Sequence, residues 1–201
     1  MNIITEKHIA KSLNYEQYRE LILDLYKKGY TTGVIQNPEL LEFSNINIHR
    51  MNRLDKTVII DDRIKNALVN IKQTYIWLVL TEAWCGDAAQ SLPIIAKAAD
   101  LCQNIQLVFL LRDDNLDIMD DNLSGKSRSI PKLICLNSVT FDKLYVWGPR
   151  PEKLINYVNE MKERGDVSKP DLLKAIQLWY NQDNTKEIQN ELLKMIGSSM
   201  I

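Results

Sequence analysis

The sequence predicts an α/β fold in which helices flank a mixed sheet, and three observations carry that expectation. Two short apolar runs, residues 75–81 and 105–111, bracket a helical pattern over 88–101. That is the order of a β–α–β unit, which favours parallel strands and a right-handed crossover. Two further runs, 132–136 and 143–147, are separated by a turn-prone stretch opening with Asn137-Ser138, as in a hairpin. Amphipathic helical stripes lie before and after this block, so the sheet should be a mixed, four-stranded layer within a sandwich.

Residues 13–28 place Tyr18, Leu21, Ile22 and Leu25 on one helical face, with Ser12 or Asn14 as cap and Gly29 as stop. Gly33 and Asn37-Pro38 signal turns, and a short helix is expected around 46–54. Nothing in this half announces chemistry. The run Val58-Ile59-Ile60 meets Asp61-Asp62, which can cap a helix over 63–72. A strand at 75–81, a helix at 88–101 interrupted by Pro93, and a strand at 105–111 follow. The acidic segment through Asp121 is expected to be helical, and after the hairpin a closing helix spans 151–162 with Leu154, Ile155 and Val158 at helical spacing. Beyond Gly165, Leu172, Leu173, Ile176 and Trp179, then Ile188, Leu192, Met195 and Ile196, mark two more helices. They form a hairpin expected to pack onto the core. The organisation is therefore an N-terminal helical extension (1–57), an α/β domain (58–165) and a C-terminal helical hairpin (166–201), joined in one compact unit.

A 201-residue chain with 45% hydrophobic content can bury a substantial core. Its net charge of -1 comes from 25 basic and 26 acidic residues, so no global field recruits nucleic acid or an anionic membrane. No apolar run approaches the roughly 20 residues of a spanning helix, and the first residues do not read as a secretory signal. Cys85, Cys102 and Cys135 are an odd, widely spaced set, which points to a reducing compartment and a cytoplasmic protein. With His8 and His49 as the only histidines, a zinc site is not expected.

The chemistry concentrates at Trp84-Cys85-Gly86-Asp87-Ala88, at the junction of strand 75–81 and the following helix. Backbone N–H groups and the positive end of a helix stabilise a thiolate, so a cysteine there is expected to have a lowered pKa. Asp87 opposes this, and the depression should be modest. The motif resembles the thioredoxin active site Trp-Cys-Gly-Pro-Cys, with Pro93 where that superfamily kinks its helix. Arg128-Ser129-Ile130-Pro131 is similar to the segment carrying its cis-proline, and Gly148 follows at about the family interval. The resemblance covers roughly 61–161. It implies a thioredoxin-like three-layer sandwich with a mixed sheet of four or five strands. The flanking helices are similar to those of a bacterial thioredoxin-like family whose usual motif is Trp-Cys-Gly-Asp-Cys.

Ala88 stands where that motif has its second cysteine, and Val79 where thioredoxins carry a buried aspartate. Under the resemblance, Cys85 is the nucleophile, and Trp84, Gly86, Asp87, Ile130 and Pro131 contact substrate. A cis Pro131 would leave the Ile130 backbone open to an extended segment. Without a resolving thiol, exchange becomes monothiol: the mixed disulfide on Cys85 must be opened by glutathione or a partner's cysteine. No bound cofactor or metal is implied; the partners are protein thiols or disulfides, or glutathione. The competing reading is a non-catalytic thioredoxin-fold module that binds protein. Cys102 and Cys135 read as core thiols, Asp87 as a first-turn helix charge, and Arg128 as a solvated cation. Gly125-Lys126-Ser127 lacks the first glycine of a phosphate loop, and the acidic cluster at 113–121 lacks the glycine and glutamate of an EF-hand.

Overall fold

A computed structural model describes residues 3–165 and 167–200. Four strands, β1 (Tyr75–Thr81), β2 (Ile105–Leu111), β3 (Lys132–Asn137) and β4 (Lys143–Trp147), form one sheet in the order β2-β1-β3-β4. β1 runs parallel to β2, pairing Tyr75 with Ile105 and Thr81 with Leu111. It runs antiparallel to β3, which pairs antiparallel with β4 across a register shift at Cys135/Leu136. Every residue of β1 is buried. Since successive side chains face opposite sides of a strand, both faces of the sheet are covered there. The thioredoxin-like sandwich, with helices added at both ends, is thus the architecture present.

The N-terminal helices α1 (Glu6–Lys11) and α2 (Tyr15–Lys27) reach the sheet through β2. Leu13, between them, exchanges both backbone hydrogen bonds with Phe109, at 2.9 and 2.7 Å. Tyr18 stacks on the same phenylalanine with ring centroids 5.3 Å apart. Asn14, rather than Ser12, caps α2 through a reciprocal box with Gln17.

The main departure from expectation is α3 (Pro38–Thr57), a 20-residue helix where turns and a short helix were predicted. Asn37 and Pro38 are its cap and first residue: the side chain of Asn37 accepts from the Leu40 N–H, and a proline lacking an N–H fits the first turn. Its buried face includes Ser44 and Asn47, which interrupt the apolar stripe. α4 (Asp62–Val69) and α5 (Gly86–Ala99) follow; α5 begins at Gly86 and runs through Pro93. α3 packs along α5. A short α6 (Leu116–Asp120) and α7 (Glu152–Glu163) precede the C-terminal pair, α8 (Lys169–Asp183) and α9 (Lys186–Ser199). α9 packs against α4, α5 and β4, whereas α8 touches α7. Among the described residues no helix is long and apolar enough to cross a membrane.

Gly148 sets the approach of two loops. A Cβ there would lie 2.2 Å from the Pro131 carbonyl oxygen, and its φ of +106° is one that side chains rarely adopt. Both Ile130-Pro131 and Gly148-Pro149 are cis. The close approach brings Arg150 to the N-terminus of α5.

Candidate functional site

The chain leaving β1 is fixed from both sides before it reaches Trp84. The Ala83 N–H donates to the Thr32 hydroxyl at 2.7 Å, and the Asn47 amide of α3 donates to the Ala83 carbonyl at 2.8 Å. Glu82 is fully buried and accepts from the Asp113 N–H at 2.9 Å. Asp113 in turn holds Arg112, whose guanidinium lies 4.9 Å from the centre of the Trp84 ring. Trp84 is thereby clamped by a cation–π contact beside the cysteine.

Burial raises the pKa of the Glu82 carboxyl above its ordinary value of 4.5. Folding therefore favours its protonated form. That contribution is complete below the ordinary value and fades as pH climbs through the raised folded one. Glu82→Gln, fixed in the neutral state, should flatten the fall in melting temperature expected of the native chain as pH rises from the ordinary carboxyl value of 4.5 through the raised folded one. Parallel unfolding curves for the two chains would exclude this role for Glu82.

Cys85 is the N-cap of α5. Its Sγ accepts from the Ala88 N–H at 3.4 Å and donates to the Ile130 carbonyl at 3.2 Å. The residue is 7% exposed. Here the expected thiolate is corrected: burial first, and the Asp87 charge second, push the thiol up to about 12. The Ala88 and Asp87 N–H groups and Arg150 act in the opposite direction but are outweighed. Burial disfavours the charged thiolate, and at this shielded sulfur that cost exceeds the stabilisation the helix N-terminus and Arg150 provide.

Asp87 is the acidic residue in the first turn of α5, as expected, but its carboxylate is turned into the fold. It is buried, receives a hydrogen bond from the Tyr180 hydroxyl at 3.0 Å, and pairs with Arg150 at 2.8 Å. Burial and then Asp87 raise the pKa of Tyr180, keeping it the donor. Burial pulls the Arg150 guanidinium down, but its hydrogen bond and charge contact with Asp87 prevail and raise it. α8 is tied to α5 a second time through Gln90 and Gln177, 2.8 Å apart.

Of the residues singled out by sequence, Trp84, Cys85, Gly86, Asp87 and Ile130 line one cleft of about 430 Å³, together with Arg112, Arg128 and Arg150. Pro131 is buried behind it. The Ile130 carbonyl, expected to be open to an extended segment, is occupied by the Cys85 thiol. Arg128 forms a two-point pair with Asp120 at the cleft edge. Cys102 and Cys135 are buried free thiols, as expected; Cys102 donates to the Leu68 carbonyl, and Cys135 sits opposite Trp77 in the sheet. Sequence reading missed Arg150, Tyr180, Arg112 and the contribution of α3. The apolar stripe ending at Trp179 gave no reason to single out the next residue, and Arg150 carried no local signal beyond its neighbouring prolines. Among the described residues no group of three or more His, Cys, Asp or Glu side chains is placed to hold a metal ion.

Two solved structures share the architecture. A protein of unknown function from Pseudomonas aeruginosa is 18% identical, with 92% of this chain and 98% of that one covered at a TM-score of 0.59. An HIV epitope-scaffold, also 18% identical, aligns over 88% of this chain and 98% of its own at a TM-score of 0.58. At that identity the likeness is one of fold. No curated protein matches the sequence. A family model described as Thioredoxin matches residues 34–162, taking in α3, the whole sheet and nearly all of α7. The chain belongs to the thioredoxin family.

Proposed function

We propose that the chain is a thioredoxin-fold binding module of a reducing compartment, holding a protein segment in the cleft beside Trp84, with Cys85 protonated at neutral pH. The observation that carries this reading is the state of the thiol: shielded, donating to Ile130, and next to a buried carboxylate. A nucleophile needs its thiolate, and a pKa near 12 leaves very little of it at pH 7. Ala88 stands where the Trp-Cys-Gly-Asp-Cys motif has its second cysteine, so no neighbouring thiol would release a mixed disulfide.

One observation favours the second reading, monothiol exchange. The Ala88 N–H already points at the sulfur and Arg150 stands close enough to favour its charge. In that reaction the Cys85 thiolate attacks one sulfur of a disulfide, the S–S bond breaks, and the other sulfur leaves as a thiolate. A second thiol, glutathione or a partner's cysteine, then attacks the mixed disulfide and frees Cys85.

Incubating the reduced chain with oxidised glutathione at about pH 7.5, followed by intact-mass and peptide mapping, separates the two. Binding without exchange predicts no selective adduct on Cys85, and unchanged peptide binding in Cys85→Ser. A selective adduct at Cys85 that reduced glutathione reverses would overturn the first reading in favour of the second.

A further inference from the structure

α3 and α8 face one another across a second groove, of about 320 Å³, whose floor is Trp84 and Gly86. Ile46 stands on one wall and Leu173 and Leu178 on the other. Leu173 and Leu178 are 38% and 50% exposed, an apolar surface left open beside the cysteine. The charged residues lining the groove are Arg50 and Lys174, both cationic.

Arg50 differs from the other arginines around Trp84. Arg112, Arg128 and Arg150 pair with Asp113, Asp120 and Asp87. Arg50 has no carboxylate partner among the described residues. Its Nη1 donates to Asn47 on the same helix at 2.9 Å and lies 3.4 Å from where a Cβ on Gly86 would stand. It is half-buried; burial lowers its pKa, Arg53 adds to that, and Asp87 counters it. The Asp87 carboxylate, however, is already bound by Arg150 and Tyr180. A partly desolvated guanidinium with three or more idle donors is a strong site for a carboxylate, which it can grip at two points.

The groove is continuous with the Cys85 cleft. Phe43, Trp84, Gly86 and Leu173 line both. A chain segment lying over Trp84 therefore reaches Arg50 without leaving the surface. A lipid surface is disfavoured by the net charge of -1, which supplies no general attraction to anionic headgroups.

We propose that the α3–α8 groove receives an acidic–apolar segment of a partner protein, its apolar side chain on Trp84 between Ile46 and Leu178 and its carboxylate on Arg50. The assignment rests on the binding reading and adds the chemistry of the partner to it.

A displayed library of random peptides, selected on the full chain, provides the test, with affinities of enriched peptides measured by fluorescence anisotropy. The expected winners carry Asp or Glu close to a large apolar residue. Changing that acid to its amide should weaken binding to the native chain about tenfold or more. Arg50→Gln should abolish the distinction between acid and amide peptides, and Arg50→Lys should retain part of it. Winners lacking an acid, or amide peptides that bind the native chain equally well, overturn the assignment while leaving the binding module standing. No enrichment over a Trp84→Ala chain sinks the binding reading, and the assignment with it. The acid-to-amide comparison uses the native chain, so it holds even where an Arg50 variant fails to fold.

Discussion

Asparagine in place of Asp87 should accelerate alkylation of Cys85 and at the same time lower the stability of the chain. The carboxylate is the second largest influence holding the thiol near 12, after burial, and removing its charge lets the sulfur ionise at lower pH. Each unit of lowering multiplies the thiolate fraction about tenfold at pH well below the pKa, so iodoacetamide labelling at pH 8 should rise by about that factor. The stability change has a separate origin. Arg150 would remain beside a neutral amide with its side chain only 24% exposed. Breaking a buried pair from one side costs roughly 3–5 kcal/mol, and the residual exposure of Arg150 places the loss near the lower bound. For a chain of this size that is a drop of about 6–12 °C in melting temperature. Labelling rates identical to those of the native chain would show that Asp87 does not hold the thiol protonated.

A cysteine at Ala88 should have the opposite character, a gain of chemistry. Cys85 is the N-cap and Ala88 the third helical residue, and Cα atoms three apart on a helix lie about 5 Å from one another. A disulfide tolerates Cα separations of roughly 4.4–6.8 Å, so the new pair can close. Ala88→Cys should form an intramolecular disulfide under mild oxidation. It should also reduce insulin, in the presence of dithiothreitol, about tenfold or more faster than the native chain. The native chain should stay at the uncatalysed background. Insulin reduction by the native chain at the rate of the variant would mean that Cys85 turns over without a neighbour, and would restore monothiol exchange as the primary function.

The sheet was legible because its strands are largely apolar runs flanked by polar residues: β1, β2 and β4 begin and end at the expected residues. α3 was not, for a reason that its partners explain. Ser44 hydrogen-bonds the Thr31 hydroxyl and Asn47 the Ala83 carbonyl, so two polar residues occupy positions where a helical stripe is read from apolar ones. Asn37-Pro38 added to the misreading, since the chemistry that starts a helix also makes a turn. In the site, Trp84, Cys85, Gly86 and Asp87 were visible as one contiguous motif. The charge state of Cys85 was not, because it depends on groups assembled from afar. Tyr180 reaches Asp87 across 93 positions, and Arg150 arrives through the contact of Gly148 with Pro131. Local sequence reports a helix N-terminus, which favours a thiolate; only the assembled fold supplies the shielding that reverses the sign.

The Leu13 bridge to Phe109 bears on how molecules of this chain meet one another. β2 is an outer strand, and an outer strand with idle N–H and C=O groups is a template for self-association. Both outward groups of Phe109 are committed to Leu13, and α1 and α2 stand beside the same strand. The sheet is therefore guarded on that side by its own N-terminal segment, and β4 is the border that remains to be protected. There Lys143 and the register shift at Cys135/Leu136 supply a charge and an irregularity, both of which discourage a neighbour from adding a strand.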